Sequence, residues 1–160
     1  MSTEPDWITY RIEIPGKPIA KKRPRFFRRG SFVGTYNAQE TEEGRFMLMA
    51  RDALGKAGYP DVAPAGTPVW LEADFWFEYP KATPKKRRCV GFRHTKKPDV
   101  DNLLKFLKDC LNGLAWHDDN QVFSVRARKL YGEQNRTVVW IIRPPAECSV
   151  CQRPELMEAF

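Results

Sequence analysis

Residues 7 to 14, WITYRIEI, set Ile8, Tyr10, Ile12 and Ile14 on one side of an alternating pattern and Thr9, Arg11 and Glu13 on the other, which predicts a strand closed by Pro15 and Gly16. Pro18 and Pro24 argue against a helix in the next segment, so 17 to 29 is expected to form a flexible basic arm. SFVGTY, 31 to 36, suits a short hairpin strand after Arg29 and Gly30. From Asn37 as N-cap to about Ala57, Phe46, Met49, Ala50, Ala53 and Leu54 recur at helical spacing. Glu40, Glu42 and Glu43 stand early, Lys56 stands late and Gly58 ends the run.

VWLEADFWFE, 69 to 78, carries the clearest strand signal, with Val69, Leu71, Ala73, Phe75 and Phe77 on one face. The other face holds Trp70, Glu72, Asp74, Trp76 and Glu78. Three acids at a period of two can bind a metal, but pairing with Lys or Arg on a neighbouring strand is the favoured account. A loop with Pro80, Pro84 and Pro98 leads to a helix from Asp99, whose apolar stripe is Val100, Leu103, Leu104, Leu107, Leu111 and Leu114. Residues 122 to 131 and 136 to 142 read as two strands of a hairpin joined by Gly132, Glu133, Gln134 and Asn135. The tail, 143 to 160, has Pro144, Pro145 and Pro154 and no period, and disorder is its default. The order predicts a single α+β domain over 1–142, a mixed β-sheet packed with two main helices.

Composition narrows the class. At 160 residues with 42% hydrophobic and 12% aromatic content, the chain can build an ordinary core, which excludes a disordered chain and a disulfide-stapled miniprotein. No stretch approaches the roughly 18 to 20 apolar residues of a membrane span. The start, MSTEPDWITY, lacks the layout of a secretory signal, so a cytoplasmic location with reduced thiols is expected. Cys148 and Cys151 form one C-x-x-C without a second pair, and with Cys89, Cys110, His94 and His117 scattered elsewhere a zinc site is not favoured.

Charge is informative by position. The net charge of +7 comes from 27 bases and 20 acids. Seven bases and no acid lie in 17 to 29 (Lys17, Lys21, Lys22, Arg23, Arg25, Arg28, Arg29), and eight bases and no acid in 80 to 98 (Lys81, Lys85, Lys86, Arg87, Arg88, Arg93, Lys96, Lys97). Removing these fifteen from the 27 leaves twelve bases against 20 acids, so the positive charge is confined to two segments. Bases beside Phe26, Phe27 and Phe92 suit nucleic acid, since Lys and Arg displace counterions from phosphates while aromatic faces stack on bases. Two solvated, solubilising loops are the blander account of the same runs.

The richest stretch is KKPDVDNLLKFLKD, 96 to 109, with HDDNQ, 117 to 121. If the chain is still extended at Asp99, Asp99 and Asp101 project to one side, and a close carboxylate pair beside a phosphate-binding surface is what metal-assisted phosphodiester hydrolysis requires. Lys105, one turn after Asp101 and off the leucine stripe, reaches the same place. The ordinary alternative is complete: Asp99 as N-cap, Asp101 at the positive end of the helix dipole, Asp101 with Lys105 as an ion pair, and Asp118 and Asp119 as turn residues.

HTKKPDVDNLLKFLKDCLNGLAWHDDNQV resembles the signature of the RusA family of Holliday junction resolvases. That signature is an Asp-x-Asp-Asn-x-x-Lys block opening a helix, followed by Asp-Asp-x-Gln before a strand, here Asp99, Asp101, Asn102, Lys105, Asp118, Asp119 and Gln121. IPGKPIAKKRPRF resembles the family's N-terminal start, and the likeness runs over roughly residues 8 to 142. It implies a homodimeric endodeoxyribonuclease, dependent on Mg²⁺ with Mn²⁺ as the substitute, that resolves four-way junctions by paired nicks in recombination and repair. The residues matching Asp99, Asp101 and Asp119 would hold metal, and Lys105 would be needed for cleavage. Asp118 and Asn102 are left without an assigned role.

Two symmetric nicks need two sites related by a two-fold axis, which also favours a dimer. DNA contacts are expected first at Lys21, Lys22, Arg23 and Arg25, then at Lys85, Lys86, Arg87, Arg88, Lys96 and Lys97. The rival is a structure-specific DNA-binding protein without catalysis. A third possibility, a nuclease acting on flaps or forks, shares the same site.

Overall fold

The computed structural model describes residues 6–145 and places β4 (Val69–Glu78) at the centre of the architecture. β1 (Ile8–Pro15), β6 (Arg136–Arg143), β4 and β5 (Val122–Gly132) form a four-stranded sheet in the order β1-β6-β4-β5. β1 and β4 run antiparallel to β6, whereas β4 and β5 are parallel. α2 (Val100–Leu111) lies between those two parallel strands in sequence, so β4, α2 and β5 make a βαβ unit. β2 (Arg25–Arg29) and β3 (Phe32–Tyr36) pair with each other as a separate two-stranded ribbon. The domain is α+β with a mixed sheet and two main helices, as the order of patterns predicts.

The apolar face of β4 is buried as its alternation predicts, and on the other face only Asp74 is buried as well. Leu71, Ala73, Phe75 and Phe77 are buried with Ile12 and Ile14 of β1 and Val139 and Ile141 of β6. α1 (Glu40–Lys56) adds Phe46, Ala50 and Leu54, and α2 adds Leu103, Phe106, Leu107, Cys110 and Leu111. The helices meet edge to face at Phe46 and Phe106, whose ring centroids are 5.3 Å apart. α1 ends where Gly58 takes a positive φ of 66°, letting Tyr59 N donate to Leu54 O and Gly58 N to Gly55 O. Asn37 lies upstream of the helix: its Oδ1 accepts from Gln39 N, and Gln39 occupies the N-cap position.

The opposite sheet face answers the question raised by its acids. Glu72 accepts from Arg126 at 2.6 Å, and Asp74 accepts both nitrogens of an Arg128 fork at 2.8 and 2.6 Å. Cross-strand pairing therefore accounts for these two carboxylates.

The hairpin expected from β5 and β6 does not form. The two strands run in opposite directions, but β6 pairs with β1 and β4, so their connection passes the end of β4. Asn135 makes that crossing, its Oδ1 accepting from Glu78 N and its carbonyl from Gly16 N. The turn residues encode a reversal of direction, whereas the neighbour of β6 is decided by β4, whose continuous apolar face gains from a strand on each side.

The basic arm, expected to be flexible, is tied down at its start. Gln39, buried at the start of α1, accepts from Lys22 N at 2.6 Å and donates to Ala20 O at 2.9 Å. Lys21 N donates to Asn102 O at 2.9 Å, which ties the arm to the first turn of α2. No helix among the described residues is long and apolar enough to cross a membrane. The tail expected to be disordered from 143 starts later: Arg143 ends β6 with its side chain buried and donating to Asp61 O, whereas 146 onward, with Cys148 and Cys151, lies outside the described residues.

Candidate active site

Asp99 retains an extended backbone, φ −72° and ψ 145°, and occupies the N-cap position of α2 without giving its side chain to any backbone N–H. The helix starts at Val100, so Asp101 already lies in its first turn. Both carboxylates are exposed at the positive end of the helix dipole. Among the described residues, the ion pairs of α2 are Lys21–Asp109 and Lys108–Asp119, and none joins Asp101 to Lys105. The capping bond and the i,i+4 pair of the ordinary alternative are thus both unmade. Asp99, Asp101 and Lys105 are left with their charges directed to solvent.

What holds this turn in place comes from β5. Lys129 faces the core side of the sheet, paired in register with Phe75, and its Nζ donates to Lys96 O at 2.6 Å and Pro98 O at 2.7 Å. The two carbonyls flank the Lys97–Pro98 peptide, which is cis. The ammonium therefore clamps the backbone immediately before Asp99. Next to it His94 stacks on Phe77 at 4.3 Å, and its backbone N–H donates to Lys129 O. Burial, followed by the nearby Lys129 charge, holds the His94 imidazole below its usual pKa.

The second acid pair divides its labour. Asp118 Oδ1 accepts from Asn120 N at 3.0 Å while Gln121 Oε1 accepts from Asp118 N at 2.8 Å, a capping box that builds the single helical turn Asp119–Gln121. Gln121 Nε2 then donates to Pro64 O and Thr67 O, anchoring the turn to the loop before β4. Asp119 faces elsewhere. Its Oδ1 accepts from the indole N–H of fully buried Trp116 at 2.9 Å, and its Oδ2 lies 3.8 Å from Lys108 Nζ. Asp101, Lys105 and Lys108 follow each other at helical i, i+4 and i+7 on one face of α2, and Asp119 meets that face through Lys108.

Among the described residues, no three His, Cys, Asp or Glu side chains are gathered closely enough to cage a metal. The donor set at Asp99 and Asp101 nevertheless suits a hard cation such as Mg²⁺, which keeps several waters and needs only one or two carboxylates besides substrate phosphate.

The expected DNA contacts separate into two kinds. Lys21 Nζ is 2.8 Å from Glu43 and 2.9 Å from Asp109, and Lys22 Nζ is 3.3 Å from Glu42, so both lysines are engaged by the domain itself. Burial opposes the Lys21 charge, but hydrogen bonds to Glu43 and Asp109 outweigh it and raise the pKa above the lysine norm. Arg23 and Arg25 are exposed. Lys85, Lys86 and Arg87 form one exposed helical turn, and Arg88 Nε donates to Thr83 O. Lys96 and Lys97, also exposed, directly precede the clamped turn.

Lys129, Lys108 and Trp116 are the site residues that pattern reading passed over. Lys129 left a trace: it breaks an otherwise apolar series on β5, Val125, Ala127 and Tyr131, at a core-facing position.

The chain is 29% identical over 137 residues to the uncharacterized protein YqaN of Bacillus subtilis (strain 168), an alignment covering 82% of the chain and 94% of that protein. It is 33% identical over 75 residues to the crossover junction endodeoxyribonuclease rusA of Lactococcus phage r1t, covering 46% of the chain and 53% of the phage protein. The family described as Endodeoxyribonuclease RusA matches residues 15–142, from the end of β1 almost to the end of β6, and the chain belongs to that family.

Proposed function

We propose that the protein is a metal-dependent endodeoxyribonuclease that resolves four-way DNA junctions by paired nicks, acting in recombination and repair. The observation that carries this is the state of Asp99 and Asp101: exposed at the start of α2, neither capping the helix nor paired with Lys105, on a turn clamped by Lys129. Carboxylates that neither make a capping hydrogen bond nor neutralise a base are placed for an outside cation. The phage relative, named a crossover junction endodeoxyribonuclease, supports the choice of substrate.

In this account Asp99 and Asp101 would hold Mg²⁺ or Mn²⁺ together with water and substrate phosphate, and Asp119, held by Trp116 and not gathered with the other two in the free chain, would join as a third carboxylate once DNA and metal are bound. When bound, the cation would supply charge neutralisation at the scissile phosphate and lower the pKa of a water so that hydroxide is available to attack it. Lys105, one turn from Asp101, positions the phosphate and stabilises the charge that develops on it. Asp118 builds the turn that presents Asp119. Arg23, Arg25, Lys85, Lys86, Arg87, Arg88, Lys96 and Lys97 hold the DNA backbone, while Lys21 and Lys22 anchor the arm that carries the first two. Two symmetric nicks require two such sites, so the working form is a homodimer.

Asp101→Asn tests the assignment. The variant should fold and bind a junction as the wild type does and lose cleavage by at least about a hundredfold, a typical cost of removing one strong charge-stabilising group. Full cleavage by the variant would overturn the metal site.

A further inference from the structure

β2 and β3 stand as a sheet of their own, and nine of their ten residues are exposed, with Gly34 half-buried. The register sets Arg25 opposite Tyr36, Phe27 opposite Gly34 and Arg29 opposite Phe32, so alternation places all six on one face of the ribbon. The Phe27 ring centroid is 6.1 Å from that of Phe32 and 6.3 Å from that of Tyr36. A Cβ on Gly34 would sit 2.6 Å from the Phe27 ring, so the missing side chain is what lets that ring lie across β3 between the other two. The three rings are 43%, 64% and 47% exposed for Phe27, Phe32 and Tyr36.

A two-stranded ribbon gains little stability by itself, and leaving three rings in water gives up most of what they contribute to folding. From 17 to 36 the chain contains no acid, and Arg25 and Arg29 share the aromatic face. A partner matching it must offer negative charge and flat apolar surfaces at close spacing. Unpaired nucleobases on their phosphate backbone do so, whereas intact duplex presents its phosphates and keeps its base faces hidden.

We propose that the Phe27, Phe32 and Tyr36 face is a stacking platform for unpaired bases, so the chain favours DNA whose base pairs are opened, as at a branch point, over plain duplex. This rests on the nuclease assignment above and adds to it how branched substrate is told from linear. The arginines engage phosphate in either DNA form, while the rings act only on exposed bases.

The test is binding of the full chain, with chelator present to prevent cutting, to a labelled dT oligomer of about 20 nucleotides and to a matched duplex. A triple variant, Phe27→Ala with Phe32→Ala and Tyr36→Ala, should lose roughly tenfold or more of its oligomer affinity, while its duplex affinity stays within about twofold. Phe27→Tyr with Phe32→Tyr and Tyr36→Phe should keep both affinities. Gly34→Ala, which keeps every ring and charge but displaces Phe27, should weaken oligomer binding alone, and this separates lost stacking from a ribbon that fails to form. Wild-type oligomer affinity in the alanine variant, or an equal loss on oligomer and duplex, would overturn the platform. A wild type that binds duplex but not the oligomer also overturns it and leaves the nuclease assignment standing, whereas binding to no DNA overturns both.

Discussion

Lys129 Nζ donates to Pro98 O at 2.7 Å, and through that bond the core side of β5 fixes where α2 begins and where Asp99 stands. A buried or half-buried lysine is usually a cost, and here its ammonium is returned to hydrogen bonds by the Lys96 and Pro98 carbonyls. Lys129 touches no proposed ligand. Its role is to position.

Lys129→Met should therefore cut junctions about 10- to 100-fold more slowly at limiting Mg²⁺, the range found when groups supporting a metal site are removed. Part of the loss should return at high Mg²⁺, because the ligands remain and only their arrangement has loosened. A titration of cleavage rate against Mg²⁺ reads this, and an unchanged midpoint would show that the clamp does not set the site.

Asp118 and Asp119 are neighbours with opposite expectations. Asp118→Asn should leave stability and cleavage nearly unchanged, because Asn caps a helical turn as well as Asp does, and Asp118→Ala should cost about 1 kcal/mol. Asp119→Asn keeps an oxygen for the Trp116 indole but removes the charge, so it should preserve the melting temperature and abolish cutting. Equal effects of the two Asn variants on cleavage would refute the division.

The basic arm makes a similar separation. Lys21→Met should lower stability by up to about 1 kcal/mol, since its two ion pairs are only partly shielded from water. It should leave the salt dependence of junction binding nearly intact. Arg23→Glu with Arg25→Glu should do the reverse, leaving stability unchanged while weakening binding and flattening its slope against log salt. Affinities at several salt concentrations, beside thermal melts of each variant, decide it.

His94 supplies a pH signature for the same corner of the fold. Its imidazole is held below the usual 6.5 by burial and by Lys129, so the unfolded chain binds a proton that the folded one refuses. Stability from this source is complete above about pH 6.5 and falls as the pH drops towards the folded value. His94→Phe, which keeps the stack on Phe77, should remove that slope between about pH 7 and 5 in denaturant titrations. An identical slope in both proteins would contradict the assignment.

Much of this arrangement is legible in residue order. The apolar alternation of β4 and the leucine spacing of α2 depend on local periodicity, which survives in any context that buries one face. Asp99, Asp101 and Lys105 are visible for the same reason, as polar positions clustered at a helix start. What escapes is set by partners distant in sequence. Lys129 acquires its meaning only once β5 lies parallel to β4 beside the Pro98 turn, and β6 inserts between β1 and β4 because of the whole sheet's burial, whereas its turn alone suggests a hairpin with β5. Lys21 looks like a DNA contact because a run of bases says nothing about Glu43 and Asp109 waiting across the fold. The capping expectation for Asp99 holds for its position and not for its side chain.

The most direct measurement is incubation of the purified protein with an end-labelled four-way junction and a matched linear duplex, with Mg²⁺ or with chelator, followed on native and denaturing gels. Paired, symmetric nicks confined to the junction and appearing only with metal are the predicted result. A junction that is bound but uncut under every metal condition would contradict it, leaving a DNA-binding protein whose Asp99 and Asp101 have no catalytic role.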